Sequence, residues 1–290
     1  MKLTTPVYVG TSRMGISFDK PAVVVGSCFA ENIGGRMEAY GFPVAVNPLG
    51  AAYNPLSVLN GLRRISTGRE FGTEECVEVG AGDGRICSFD HHTRHSRPTA
   101  EEFLAHANAE LRRAHDFWSK AEMLIVTLGT AWCFRHNATG RIVANCLKRP
   151  AAEFTRYKIS TDECAAALEE IATVAEGRQI ILTVSPIRHL ADGAHGNALS
   201  KATLLLGVDD AVGRHSATME YFPSYEIVLD ELRDYRFYAD DMTHPSQLAE
   251  SYIFDRFMDF ALPDGERPRL AEAARQAKRA AHRTMRPPTG

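Results

Sequence analysis

The chain has 290 residues, is 44% hydrophobic and carries a formal net charge of -3. That length and apolar content suit one large α/β domain, and the near-neutral charge excludes a broad electrostatic footprint for nucleic acid. No apolar run approaches the ~20 residues that span a bilayer, the opening Met1–Val7 stretch lacks the apolar core of a signal peptide, and Cys28, Cys76, Cys87, Cys133, Cys146 and Cys164 lack close metal-type spacing; free thiols in a cytoplasmic protein are expected.

In chain order, residues 21–26 form a continuous apolar run, as expected of a strand buried on both faces of a parallel sheet. A helix is expected from about Ala30 to Tyr40, then a short strand at Val44–Val46. Asn54-Pro55 reads as an N-cap followed by proline at the first helical position, opening a helix to about Ile65. Residues 76–79 and 85–89 flank a glycine-rich turn at Gly80–Gly84 and predict a hairpin. Thr99 caps a helix from Ala100 to about Lys120, with Glu101 and Glu102 near its positive dipole end. Met123–Leu128 is a second buried strand. Residues 131–135 and 141–144 predict another hairpin, Asp162–Ala175 a helix, and Ile180–Val184 a third buried strand. Asn197 is expected to cap a helix through about His215, and Ser246 the last core helix.

Strands alternating with helices predict a three-layer α/β/α sandwich with a mainly parallel sheet, the hairpins lying over its C-terminal edge. Ligands bind at that edge in open α/β sheets. The domain is expected over residues 1–263. Residues 264–290 hold Arg275, Lys278, Arg279, Arg283 and Arg286 and read as a basic tail, helical or solvated.

Two segments carry chemistry. Gly26-Ser27-Cys28 follows the first buried strand, which sets a hydroxyl and a thiol at the sheet edge. The helix that follows aims its N-terminal amides at the same point and favours a thiolate. Asp241-Met242-Thr243-His244 places a carboxylate three residues before an imidazole. Histidine moves the nucleophile's proton, and the carboxylate fixes its tautomer. The three groups together are the equipment of acyl transfer or ester hydrolysis.

Gly26-Ser27-Cys28-Phe29-Ala30 resembles the motif that gives the GSCFA family its name. Further stretches are similar to that family: Asn47–Gly50, Tyr53–Pro55, Leu128–Trp132, Val143–Lys148, Ser185–His189, Asn197 with Ser200-Lys201, Tyr221–Glu226 and Asp241–His244. The resemblance runs over roughly residues 20–262. It implies a relationship to the SGNH (GDSL-like) hydrolases, with a flavodoxin-like fold and esterase or carbohydrate O-acyl activity. It implies Cys28 in the place of the nucleophilic serine, Ser27 in that of the neighbouring aspartate, and Asp241 and His244 as the acid–base pair. Gly50 is implied as an oxyanion donor. The asparagine of the third SGNH block is missing at Gly129-Thr130-Ala131, which leaves Thr130 or Asn145 to replace it.

The expected reaction is acyl transfer through a covalent acyl-enzyme on Cys28, with Ser27 as the alternative nucleophile. A small-molecule or carbohydrate ester is the expected substrate. No cofactor is required, and coenzyme A is the candidate acyl donor. His91, His92, Trp132, Arg188, His189, Asn197 and Lys201 are candidates for substrate binding. No closed metal-ligand set is visible around the His91–His95 cluster. The competing reading is an inactive glycan- or peptide-binding module on the same fold. A nucleotide-binding loop is disfavoured, because Gly26, Gly34 and Gly35 fit neither common phosphate-binding spacing. No sequence feature specifies an oligomeric state.

Overall fold

A computed structural model of the chain describes residues 4–80, 82 and 84–284. Ala81 and Asp83 of the glycine-rich turn, Arg286 and the final Pro287–Gly290 stretch of the tail lie outside the described residues.

Strand β1 (Ala22–Gly26) leads into α1 (Cys28–Ala39) and β2 (Val44–Val46), followed by α2 (Pro55–Thr67). The β3 (Val77–Glu78) and β4 (Ile86–Cys87) strands form the first hairpin, and α3 (Ala100–Trp118) leads to β5 (Met123–Leu128). Next come β6 (Trp132–His136), β7 (Ile142–Val143), β8 (Phe154–Lys158), α4 (Thr161–Val174) and β9 (Gln179–Val184). Helix α5 (Gly193–Arg214) and β10 (Met219–Tyr221) follow. A single turn, α6 (Ser224–Glu226), runs into a π turn at Ile227–Glu231, then α7 (Gln247–Ala261) and α8 (Arg267–Thr284).

The central sheet has the order β10-β9-β5-β1-β2, and every pairing in it is parallel. Numbered along the sheet, this is the 2-1-3-4-5 order of flavodoxin-like doubly wound folds. Val23 and Val25 of β1 face a core shared with α2, α3, α4 and α5. Val24, between them, faces the other core, with α1 and α7. Alternate residues therefore serve opposite layers, and both layers are apolar, which explains why the strands read as unbroken hydrophobic runs. The topology reverses between β1 and β5, and a crevice opens there beyond their carboxyl ends.

Around that crevice β7, β6 and β8 form a separate antiparallel sheet. The strands β8 and β10 are additions to the sequence reading. Short length and mixed polarity hide them: Phe154–Lys158 has one buried residue and three exposed ones. Helix α5 begins at Gly193, four residues before the expected cap, so Asn197 lies inside it. The tail continues as α8, whose Arg269 pairs with Asp19 at 2.6 Å and covers the Phe18 ring.

Candidate active site

Gly26 ends β1 with φ +133°, and a Cβ there would lie 2.0 Å from the Thr127 carbonyl oxygen. Only glycine lets the chain leave β1 while staying paired with β5. The next amide, Ser27 N–H, still donates to Thr127 O at 3.0 Å. Ser27 is 2% exposed and caps α1, its Oγ accepting from Phe29 N–H at 3.3 Å and lying 3.1 Å from Thr127 Oγ1. The serine hydroxyl is thus committed to the turn. Cys28 is the first residue of α1 and half-buried. The first amides of a helix have no intrahelical acceptor. Those of Phe29 and Ala30 are taken by Ser27, whereas that of Cys28 has no partner among the described hydrogen bonds.

Cys28 opens onto a cleft of about 350 Å³ at the switch point. Tyr53 and Asn54, at the head of α2, form one wall, and Trp132, Phe134, Val143 and Arg156 of the small sheet form another. Ile187, Arg188 and His189, after β9, and Thr243 and His244 close it. The Sγ of Cys28 lies 3.1 Å from the Tyr53 hydroxyl. Asn54 Oδ1 accepts the Ser57 N–H at 2.8 Å, which turns its amide nitrogen away from the helix end.

The Asp241–His244 segment arrives preformed. Asp241 Oδ1 accepts the N–H groups of Thr243 and His244, each at 2.9 Å, and Oδ2 lies 2.6 Å from His244 Nδ1. The backbone N–H of His244, then its ring, then the Thr243 N–H hold the Asp241 carboxyl down to about 2. With Nδ1 engaged, Nε2 is the ring nitrogen left for a proton in the cleft. Arg188 pins this loop: its N–H donates to Thr243 O at 3.0 Å and its guanidinium to Met242 O at 3.0 Å. The two ends of the core, over two hundred residues apart in sequence, therefore line one cavity.

The GSCFA model matches residues 21–257. This chain belongs to the GSCFA family. Neither the curated proteins nor the solved structures gave a match. On this GSCFA chain, Trp132, Arg188 and His189 line the cleft with Cys28 and His244. The Trp132 face is covered by the Arg156 guanidinium 4.1 Å away, itself paired with Asp192, so stacking of a sugar on that face is excluded. Burial, and then the Lys201 charge, push His189 down to about 4, which keeps its imidazole neutral.

Other expected site residues lie elsewhere. Lys201 is 1% exposed and donates to the carbonyls of Gly129 at 2.6 Å and Ser185 at 2.7 Å, clamping the ends of β5 and β9 from beneath. Asn197 Oδ1 accepts the His189 N–H at 2.9 Å, holding a cleft residue without entering the cleft. His91 is buried between Phe71 and Phe103, its Nδ1 2.7 Å from Ser88 Oγ. His92 caps its own turn and touches Gly50. Neither histidine reaches the cleft.

The expected oxyanion donors are corrected too. The Gly50 N–H is bonded to Asn47 O at 2.8 Å, beside a separate cavity of about 30 Å³. The amides of Gly129 and Thr130 both donate to Tyr53 O; Thr130 does line the cleft, with its hydroxyl 3.0 Å from Ser200 Oγ. Asn145 Oδ1 accepts the Leu147 N–H at 2.7 Å, outside the cleft. Tyr53, Asn54, Arg156 and Asp192 are cleft residues to which the sequence reading gave no role. The cap at Asn54 was readable, but only the topology turns the head of α2 toward Cys28.

Proposed function

We propose that this protein is an acyl-transfer enzyme, an esterase or O-acyltransferase of SGNH-like mechanism that works through a thioester on Cys28. One observation carries the reading: a half-buried thiol at a helix N-terminus and a carboxylate-bound imidazole line the same cleft at the switch point of the sheet.

Cys28 gives its proton to His244 Nε2, and the resulting thiolate attacks the acyl carbonyl. The tetrahedral oxygen is held by the Cys28 N–H and the Asn54 amide, each contributing about 3 kcal/mol on the scale of such donors. His244 returns the proton to the leaving group as the carbon–heteroatom bond breaks. It then takes a proton from water or a carbohydrate hydroxyl, which attacks the thioester and frees Cys28. Asp241 stays ionised throughout and stabilises the imidazolium. Acyl-thioenzymes exchange readily with hydroxyl acceptors, which favours transfer, with coenzyme A thioesters as candidate donors. The six cysteines are all unpaired thiols, which fits a reducing, cytoplasmic setting.

The test is intact mass after exposure to p-nitrophenyl acetate or acetyl-coenzyme A, with peptide mapping. An acetyl adduct on Cys28, absent from Cys28→Ala and strongly slowed in His244→Ala, is expected. An adduct on Ser27 moves the nucleophile by one residue; no adduct, together with tight glycan binding, replaces the enzyme by a binding module.

A further inference from the structure

The thiol's hydrogen-bond partner is a group to which the reaction above gives no part. The Tyr53 hydroxyl lies 3.1 Å from Cys28 Sγ, and among the described hydrogen bonds it has no other partner. Burial, and then the bond to the sulfur, push the phenol far above the ordinary tyrosine range. At neutral pH it is therefore the protonated phenol. A protonated phenol with one acceptor in reach donates to it, and such a bond is stronger to a thiolate than to a thiol.

The phenol is also held in place. The Tyr53 carbonyl accepts the amides of Gly129 at 2.8 Å and Thr130 at 3.0 Å. Its ring meets the His189 ring edge-on, with centroids 6.4 Å apart. Its neighbour Asn54 is locked into the cap of α2. Behind Gly129 stands the buried Lys201, bonded to the Gly129 carbonyl. The hydroxyl is thus supported by β5, α2 and α5 together, while the N-terminus of α1 acts on the sulfur through the backbone.

We propose that Tyr53 is a catalytic residue: its hydroxyl donates to the Cys28 sulfur, stabilises the thiolate before the acyl donor arrives and aims it into the cleft. This rests on Cys28 being the nucleophile. The phenol keeps its own proton throughout; the thiol proton goes to His244, which then serves the leaving group and the acceptor.

Alkylation by iodoacetamide, followed by peptide mapping of Cys28 from pH 5 to 10, tests this without any acyl donor. In Tyr53→Phe the midpoint of reactivity should rise by about one pH unit, a roughly tenfold loss of thiolate at neutral pH. The plateau rate at high pH should also rise, because a less stabilised thiolate is intrinsically more nucleophilic. A substitution that merely loosened the cleft would not move the two in this way. Should Tyr53→Phe fail to fold, the reciprocal measurement follows the 13Cζ resonance of Tyr53 from pH 5 to 10: it should step as Cys28 ionises, and the step should vanish in Cys28→Ala. An unmoved midpoint in folded Tyr53→Phe, or a Tyr53 resonance without a step that Cys28→Ala removes, overturns the proposal. A shifted midpoint in a protein that never forms an acyl adduct would keep the role of Tyr53 at the sulfur and remove the acyl-transfer reading. An adduct with an unmoved midpoint would do the reverse.

Discussion

Replacing Lys201 by methionine separates the effect of burying its charge from that of its two hydrogen bonds. The ammonium is buried, is bonded only to the Gly129 and Ser185 carbonyls, and has no carboxylate partner among the described residues. Burial pushes its pKa from 10.5 down to about 7. Below pH 7 the lysine is charged in both the folded and unfolded chains, and the folded protein bears the full desolvation penalty. Between pH 7 and 10.5 it is neutral when folded but still protonated when unfolded. Stability therefore rises with pH across that window, by up to about 1.4 kcal/mol per unit and by about 2 kcal/mol from pH 7 to pH 9. Methionine contributes no such slope and leaves the two carbonyls without that donor, at about 1–3 kcal/mol each. The stability of the unmodified protein minus that of Lys201→Met should thus grow by about 2 kcal/mol between pH 7 and pH 9. Cys87, Cys133 and Cys164, whose thiols burial pushes up to about 11, 12 and 12, act in the opposite direction at alkaline pH. They are shared by both proteins and cancel in the difference. Urea unfolding followed by circular dichroism at pH 7, 8 and 9 measures it. A difference that stays flat would show that the folded protein keeps the lysine charged through pH 9, and would refute the reasoning.

Three further outcomes are expected. Gly26→Ala forces a Cβ to within 2.0 Å of the Thr127 carbonyl oxygen at a φ of +133°, so β1 and β5 must separate; a loss of at least about 4 kcal/mol is expected, read as a fall in Tm of roughly 7 °C or more, and a melt within a degree or two of the unmodified protein would sink it. Asp241→Asn should slow acylation by p-nitrophenyl acetate by a factor of about 10²–10⁴ with the fold intact; because Asp241 is held down to about 2, the pH–rate profile of the unmodified protein should show no carboxylate step above pH 4. Burial pushes His91 down to about 3, below the unfolded value near 6.5, so its contribution is unaffected above pH 6.5 and is lost as the unfolded chain takes up a proton at lower pH. From pH 6.5 to 4.5 that loss is about 2 kcal/mol, and His91→Gln, compared by urea unfolding at the two pH values, should show a correspondingly smaller acid loss.

The legible parts of this protein are those whose signal is local. Asn54-Pro55, Thr99 and Ser246 each mark a helix start that the structure repeats, because a cap is a contact within three residues. The runs at 22–26, 123–128 and 180–184 sit in the parallel sheet because apolar layers cover both faces. The strand Phe154–Lys158 carries no such signal, because three of its five residues are exposed and only Phe154 is buried.

Sequence by itself determined the α/β alternation, the Gly26-Ser27-Cys28 turn at a strand end and the Asp241–His244 pair, since each depends on neighbours along the chain. Only the tertiary structure decided which polar groups have spare hydrogen-bonding capacity. It committed Ser27 to a helix cap, bonded Gly50 and Thr130 elsewhere, buried Lys201 and His91, and brought Tyr53 and Asn54 beside Cys28. A donor's availability depends on what packs against it from distant segments, and the reversal of strand order between β1 and β5 determines which segments those are.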